Sequence, residues 1–339
     1  MPTDPPITAR LHDPGDLIAA LPVLLGFYPN QSLVAVHLRN DRIVLVARYD
    51  IDRLAIHEQI DNVIIPTSYV PTESIHLVVI AADVNNSPGE LVPHAATVAD
   101  VRDRLCQAGI DAPHDVWVAA IRAEATWRCY SHPGCHGRLP DPRSTTLAAA
   151  ATYAGQVIHP SRQAVADQIV LDAPAVLTRR ATLIATHGGR ALDVRQGLRT
   201  VRSAIDAASH GLLPTSDEQI AELAVALTRP RIRDACFAYA LDTHAGAAER
   251  LWTALVRATP PPHRAEPAAL LAVTAYLRGN GALAILALHA ATQAQPGHAL
   301  TRLVRLAITT GLAPDVIRDA ITRTVASKPI RPDTRAGTD

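Results

Sequence analysis

The most conspicuous absence from the sequence is lysine. Of the 32 basic residues in the 339-residue chain only Lys328 is a lysine, and it lies in the polar C-terminal segment. A Walker-type phosphate loop, the protein-kinase fold and the Schiff base of pyridoxal enzymes each need a lysine inside a folded site. The sequence therefore excludes these three chemistries, and with them a nucleotide phosphate loop and pyridoxal phosphate as a cofactor.

Aromatic residues, net charge and long apolar runs are scarce as well. Aromatic residues make up 4% of the chain against 48% hydrophobic residues, which suits two globular domains with aliphatic cores. No run approaches the roughly 18 apolar residues of a membrane span, and the N-terminal residues lack the pattern of a leader. The formal net charge is zero, so bulk electrostatics favour neither nucleic acid nor an anionic membrane. We expect a cytoplasmic protein.

The first 143 residues alternate between strand and helix patterns. Leucines at three- and four-residue spacing predict an opening helix that Asp13 or Asp16 can cap. Val-rich runs on either side of Arg39-Asn40-Asp41 predict an antiparallel hairpin. The full pattern predicts helices over 16–25, 52–62 and 91–108 and strands over 32–38, 42–49, 75–81, 115–121 and 126–130. We expect an α/β (α+β) domain with a mixed sheet opened by the hairpin.

Strand signals disappear from about Ser144 onward, which predicts an all-α C-terminal region. The segment Thr259–Pro267 (TPPPHRAEP) is expected to be a stiff, exposed linker between two helical bundles. Between Ala268 and Pro296, small and large residues fall close to the positions of a tetratricopeptide unit, so we expect tetratricopeptide-like helix pairs. The predicted domains are a mixed α/β domain (1–143), a first helical bundle (144–258), a helical-hairpin bundle (268–326) and a disordered tail (327–339).

Four segments of the chain resemble one protein family. They are LLGFYPNQSLV (24–34), ARYDI (47–51), GQVIHPSRQAV (155–165) and LLAVTAYLRGNGALA (270–284). In these segments the chain is similar to an actinobacterial family known only as a domain of unknown function (domain of unknown function 4192). The resemblance covers nearly the whole chain. Because the family has no assigned activity, the resemblance implies no catalytic or binding residue.

Two cysteines and two histidines lie within eight residues of one another. Cys129, His132, Cys135 and His136 are of the types that tetrahedral zinc prefers, and the Pro-Gly pair between them predicts a turn. However, the adjacent Cys135 and His136 point in different directions, which opposes binding of one ion by all four. A disulfide is a second interpretation if the Cα atoms of the two cysteines lie about 5.5 Å apart. Ordinary loop residues are the third.

Polar side chains follow several predicted strands. In open α/β sheets ligands bind beyond the carboxyl ends of parallel strands, where carboxylates can hold magnesium or act as general acid and base. Turn-forming and helix-capping roles are the alternative. The hairpin leaves open whether Asp50 and Asp83 share an edge of the sheet. The candidates are Asp50 and Asp52 after the second strand, Asp83, Asn85 and Asn86 after the third, and Glu124 after the fourth.

Two classes of function remain. The first is a cytosolic binding or scaffold protein that uses its helical half for protein–protein interaction, which the helix-pair pattern favours. The second is a hydrolase or transferase with an acidic, metal-assisted or metal-free site at the strand ends. The last helices carry an excess of basic residues. Such a face can bind an acidic partner or nucleic acid, and the alternative is a face that contacts only solvent. The basic residues are Arg302, Arg305, Arg318, Arg323, Lys328 and Arg331. We favour the first class.

Overall fold

The structure is a computed structural model of the chain. It describes residues 11, 13–54, 60–82, 92–132, 134–188 and 193–327. Contacts between Cα atoms divide the chain into two compact units, Met1–Val165 with Thr309–Gly311 and Ala166–Ile308 with Leu312–Asp339. Within the described ranges, every helix is too short or too polar to cross a membrane.

A six-stranded sheet forms the centre of the described part of the first unit. The strands are β1 (Ser32–Arg39), β2 (Arg42–Asp50), β3 (Ser74–Ile80), β4 (Asp115–Val118), β5 (Thr126–Cys129) and β6 (His136–Arg138). Their order across the sheet is β2-β1-β3-β4-β5-β6; β3 and β4 are parallel and the other neighbours antiparallel. The predicted mixed sheet and its opening hairpin are confirmed, and β6 is a strand that the sequence pattern did not predict.

The opening hairpin turns at Asn40 and Asp41, whose φ angles of 50° and 57° are both positive. Two positive φ angles are what a type I′ turn requires, and Asn and Asp tolerate them better than most residues. The hairpin places β1 inside the sheet between β2 and β3. Leu33 and Val34 point to opposite faces of β1 and are both fully buried, so the sheet is covered on both faces.

The helices of the first unit are α1 (Pro14–Leu25), α2 (Ile51–Leu54), α3 (Asp61–Ile64), α4 (Ala95–Gln107) and α5 (Thr146–Tyr153), with a 3-10 helix over Ile65–Ser68. Helix α6 (Arg162–Asp167) begins in this unit and ends in the second. The carboxylate of Asp13 caps α1 by accepting from the backbone N–H of Asp16 at 2.9 Å, as the sequence predicts. Because Val23 of α1 packs on Ala148 and Ala151, α5 belongs to the first unit although it lies beyond the predicted boundary at 143.

The described part of the second unit is helical throughout, as the sequence predicts. Its helices are α7 (Pro174–Gly188), α8 (Val194–Ser209), α9 (Asp217–Leu227), α10 (Pro230–Cys236), α11 (Ala245–Ala258), α12 (Ala265–Leu277), α13 (Gly281–Ala294), α14 (Ala299–Thr309) and α15 (Pro314–Ser327), with a 3-10 helix over Phe237–Ala240. The α12–α13 pair is a helical hairpin joined by the short turn Arg278–Asn280.

The expected exposure of the segment between α11 and α12 holds for Pro261 and Pro262 but not for its two ends. Thr259 is fully buried and Arg264 is 8% exposed. The Arg264 guanidinium donates to the carbonyl oxygen of Val256 at 2.8 Å and to that of Ile169, so it ties the end of α11 to a distant part of the chain. The two ends of the segment are therefore buried where α11 packs on α12, whereas Pro261 and Pro262 between them are exposed.

Candidate functional site

The cysteine–histidine cluster forms the β5–β6 hairpin. Arg128 pairs with His136 in the sheet, and the N–H of Cys129 donates to the carbonyl oxygen of Cys135 at 2.9 Å. The N–H of Cys135 donates in turn to the carbonyl oxygen of His132 at 2.9 Å and closes the turn. The hairpin thus brings the two cysteines together. No group of three or more His, Cys, Asp or Glu side chains that could hold a metal ion occurs among the described residues, which include all four predicted zinc ligands.

The Cys129 side chain is buried near the carboxylate of Asp115. Its side chain is 5% exposed, and burial raises the pKa of the thiol to about 12, with the neighbouring Cys135 thiol and the charge of Asp115 acting in the same direction. Asp115 is itself 2% exposed; it accepts from the Ser131 hydroxyl at 2.7 Å and pairs with Arg102 at 3.0 Å. The Asp115 carboxylate is therefore satisfied, and Cys129 stays a neutral thiol at neutral pH.

Of the predicted acidic residues, Asp50, Asp52 and Glu124 lie at one edge of the sheet. Asp50 at the end of β2 lies opposite Ser32 at the start of β1, and Ser32 lies opposite Ile80 at the end of β3. Hence β2, β3 and β4 all end at this edge, and β5 starts there, just after Glu124. The hairpin does not separate the end of β2 from the end of β3. Asp83, Asn85 and Asn86 lie outside the described residues.

Asp50 and Glu124 nevertheless do not meet. Four strand spacings separate β2 from β5, which corresponds to about 19 Å. Glu124 pairs with Arg138 at 3.1 Å, where both side chains are 72% exposed, and Asp50 lies 4.0 Å from Arg48. Asp52 is exposed in α2. Ion pairs of this kind are typical of solvated surfaces, so an acidic site at this edge stays a prediction that depends on Asp83.

The same edge gathers three of the four segments that carry the family resemblance. The backbone N–H of Tyr28 donates to the carbonyl oxygen of His159 at 3.0 Å, and the N–H of His159 donates to that of Gly26 at 2.9 Å. These bonds join LLGFYPNQSLV to GQVIHPSRQAV. The Nε of Arg48, from ARYDI, donates to the Ser32 hydroxyl at 2.7 Å. Segments far apart in sequence therefore form one continuous structure at the edge where α/β sheets bind ligands.

Arg48 is the central cation of this edge. Its guanidinium also donates to the carbonyl oxygens of Asn30 and Gln31, at 3.3 and 3.4 Å. Burial lowers the pKa of Arg48; the positive charge of Arg162 acts in the same direction, whereas Asp50 opposes it. The guanidinium thus fixes the turn that leads into β1. Because it is engaged with backbone oxygens, Arg48 positions this edge rather than presenting itself to solvent.

A solvent-accessible cavity of about 570 Å³ opens at this edge. It is lined by Tyr28, Ile121, Arg143, Ile158 and Pro160. Three of these five residues belong to the resembling segments 24–34 and 155–165. The sequence analysis predicted no site at these residues and missed the cavity. The sequence signal that could have indicated the cavity is that Tyr28, Ile158 and Pro160 all lie in segments that resemble the family.

The last two helices of the second unit expose apolar side chains. Leu303 and Leu306 on α14 are 66% and 61% exposed, and Leu312 and Val316 are 38% and 43% exposed. On the opposite face of α14, Val304 and its neighbours are buried. We call the set Leu303, Leu306, Leu312 and Val316 the C-terminal apolar surface. In the part of α15 whose side chains are described, no residue is buried.

The basic residues predicted for these helices fall into two groups. Arg305 donates to the carbonyl oxygen of Leu288 at 3.1 Å, and Arg318 donates to that of Leu277 at 2.7 Å, so both bind the α12–α13 hairpin. Arg302 and Arg323 are exposed. Lys328 and Arg331 lie outside the described residues. The basic character of the surface is therefore weaker than the sequence count indicates.

A family model described as "Domain of unknown function (DUF4192)" matches residues 14–315. The matched range begins with α1, ends within α15 and includes all four resembling segments. No curated protein and no solved structure matches the chain. The family match therefore establishes kinship and carries no assigned activity.

Proposed function

The chain belongs to the family described as a domain of unknown function (DUF4192), and we propose that it is a binding or scaffold protein whose helical unit holds a protein partner. The observation that carries this proposal is the C-terminal apolar surface. Leu303 and Leu306 lie one helical turn apart and are both more than 60% exposed. Contiguous exposed apolar side chains mark interaction surfaces more often than single ones do.

The exposure of the described side chains of α15 supports the same proposal. A helix of 14 residues is marginal in water on its own and depends on packing of its apolar face. Val316 is 43% exposed and its neighbour Ile317 is only half-buried. A partner that covers α15 would supply the missing burial, at about 25 cal/mol for each Å² of apolar surface removed from water.

The charges beside this surface define the chemistry of the partner. Arg302 and Arg323 are exposed, and the acidic residues Asp315 and Asp319 oppose them on α15. A protein with apolar side chains and a mixed-charge rim fits this arrangement, whereas a nucleic acid would need a more uniform basic face. The proposal includes a cytosolic location, which suits the four cysteines, all of which are free thiols.

The test is affinity capture from a lysate of the native host with the full-length chain as bait. We expect a stoichiometric partner with the wild type and its loss with the Leu303→Asp, Leu306→Asp variant, because each aspartate places a charge in the proposed contact. Leu212→Asp is the matched control, since Leu212 is 67% exposed on the same unit.

Three outcomes count against the proposal. A capture without a stoichiometric partner is the first, and equal capture by wild type and double variant is the second. The third is a captured species that nuclease treatment removes, which would identify a nucleic-acid surface instead.

A hydrolase or transferase is the second candidate, and the edge cavity of about 570 Å³ favours it. A small polar ligand in that cavity would meet the exposed guanidinium of Arg143. Screening of small phosphorylated and carboxylated compounds by thermal shift, with wild type and Arg143→Met, tests this candidate. A stabilising compound whose effect disappears in Arg143→Met supports it, and a screen without stabilising compounds opposes it.

A further inference from the structure

Cys129 and Cys135 lie directly opposite each other across the β5–β6 hairpin. The register pairs Trp127 with Gly137 and Arg128 with His136, and the next pair in this series is Cys129 with Cys135. The N–H of Cys129 donates to the carbonyl oxygen of Cys135 at 2.9 Å, which extends the ladder to this pair. Residues directly opposite in an antiparallel ladder place their side chains on the same face. Accordingly, the Cys135 side chain lies near enough to Cys129 to raise the pKa of its thiol.

This register satisfies the geometric requirement of a disulfide. The Cα atoms of a hydrogen-bonded antiparallel pair lie about 5.5 Å apart, inside the range of about 4.4–6.8 Å that a disulfide spans. Directly opposite Cβ atoms of a hydrogen-bonded pair are about 5.5 Å apart, so they must approach by about 1–2 Å to reach the disulfide separation of about 3.5–4.5 Å. The pair lies at the turn end of the hairpin, where the N–H of Cys135 donates to the carbonyl oxygen of His132.

The two sulfurs differ in access to solvent. Cys135 is partly exposed beside the turn, whereas Cys129 is 5% exposed against the core. We propose that Cys129 and Cys135 form a redox-responsive dithiol, which a peroxide converts into a cross-strand disulfide that closes the end of the β5–β6 hairpin. Cys135 is the residue that the oxidant reaches, and Cys129 is the buried resolving thiol.

The reaction balances with the peroxide as the two-electron oxidant. The Cys135 sulfur attacks one peroxide oxygen, the O–O bond breaks, and a sulfenic acid forms while one water leaves. The Cys129 sulfur then attacks the Cys135 sulfur, the S–S bond forms, and the sulfenic oxygen leaves with the thiol proton as a second water. The two thiols lose two electrons in total, and the peroxide is reduced to two waters.

The remaining cysteines serve as internal references. Cys106 is exposed on α4, and Cys236 is 2% exposed and donates to the carbonyl oxygen of Ile232 at 3.1 Å. A Cys106→Ser background removes the exposed thiol that would otherwise consume oxidant. The Cys236 thiol then reports whether an oxidant has unfolded the second unit.

The experiment treats the full-length Cys106→Ser protein with hydrogen peroxide and follows the intact mass, the alkylatable thiols and the proteolytic peptides. We expect loss of two of the three remaining thiols, a mass decrease of two hydrogen atoms, a peptide that links Cys129 to Cys135, and full reversal by dithiothreitol. In Cys129→Ala the same treatment should leave a sulfenic acid on Cys135, which dimedone traps. In Cys135→Ser neither product should form.

A trivalent arsenical, phenylarsine oxide, tests the proximity of the thiols without oxidation. One equivalent should bind the wild type and none should bind Cys135→Ser. Oxidation of Cys135 to a sulfinic or sulfonic acid while Cys129 stays alkylatable would overturn the proposal. Binding of the arsenical without formation of a disulfide would also overturn it, because that result shows that the two thiols are neighbours but cannot form the S–S bond.

Discussion

The indole ring of Trp127 packs against two glycines, Gly137 of β6 and Gly15 of α1. We call this arrangement the Trp127 slot, and it predicts the effect of a larger residue at Gly137. A Cβ atom at Gly137 would lie 2.9 Å from three atoms of the ring, and a Cβ atom at Gly15 of α1 would lie 3.0 Å from its Nε1. Trp127 is 6% exposed, so the ring has little space into which it can withdraw. We therefore expect Gly137→Ala to destabilise the first unit.

The magnitude follows from the overlap. Carbon atoms in contact prefer separations of about 3.5–4.0 Å, so the added methyl group overlaps the ring by at least about 0.6 Å. Overpacking of this kind costs about 1–3 kcal/mol, which corresponds to roughly 2–4 °C of Tm per kcal/mol for a unit of this size. Gly134→Ala is the matched control, because a Cβ atom there meets nothing within 4 Å. A gain of about 0.4–1 kcal/mol is expected for it from the lower entropy of the unfolded chain.

The assay is urea unfolding of the full-length variants, followed by tryptophan fluorescence and far-UV circular dichroism. Trp117 and Trp127 report on the first unit and Trp252 on the second, whose transition serves as an internal reference. Equal free energies of unfolding for Gly137→Ala and Gly134→Ala, within 0.5 kcal/mol, the usual range for a substitution without a structural consequence, would refute this description of the slot.

Two further predictions concern buried polar groups. His37 is fully buried, its Nε2 has no hydrogen-bond partner among the residues that the structure describes, and burial lowers its pKa to about 4. The unfolded state therefore takes up a proton below about pH 6.5 and the folded state does not, so the free energy of unfolding should fall as pH drops from 6.5 towards 4, by up to about 1.4 kcal/mol per unit. Urea midpoints at pH 7 and pH 5 should show a smaller loss for His37→Leu, and an equal loss would contradict this assignment. Arg264→Met leaves two carbonyl oxygens without their donor and should cost the second unit about 2–5 kcal/mol. Arg257→Met, whose side chain is 53% exposed, should change thermal stability little, and similar losses for both variants would oppose this explanation.

The sequence predicted elements whose own residues carry the pattern. Asp13 and the spaced leucines predicted α1, and the Val-rich runs predicted β1 and β2. The strand β6 could not be predicted in the same way, because His136-Gly137-Arg138 contains no residue that favours strands. It forms because β5 offers an edge and because Trp127 covers Gly137. Tertiary contact, rather than local preference, decides this strand.

In the candidate sites too, the residue types could be read from the sequence, whereas contacts between distant residues could not. The residue types of the cysteine–histidine cluster were visible in the sequence, but the pairing of Cys129 with Cys135 depends on the hairpin register. The hydrogen bond between Gly26 and His159 joins residues 133 positions apart, which no periodicity reveals. Likewise TPPPHRAEP has the composition of an exposed linker, and the burial of Arg264 depends on the carbonyl oxygens of Val256 and of the distant Ile169.

The central claim is that the C-terminal apolar surface binds a protein, and a titration of the captured partner tests it most directly. Burial of a whole leucine side chain contributes about 1.5–3 kcal/mol, and Leu303 and Leu306 have 66% and 61% of their surface available. Their combined contribution is thus about 2–4 kcal/mol, so calorimetry should show Kd raised by roughly 30- to 1,000-fold in the Leu303→Asp, Leu306→Asp variant. Leu212→Asp should leave Kd within about threefold of the wild-type value, a difference of under 1 kcal/mol. An unchanged Kd in the double variant, or an equal rise in Leu212→Asp, would contradict the claim.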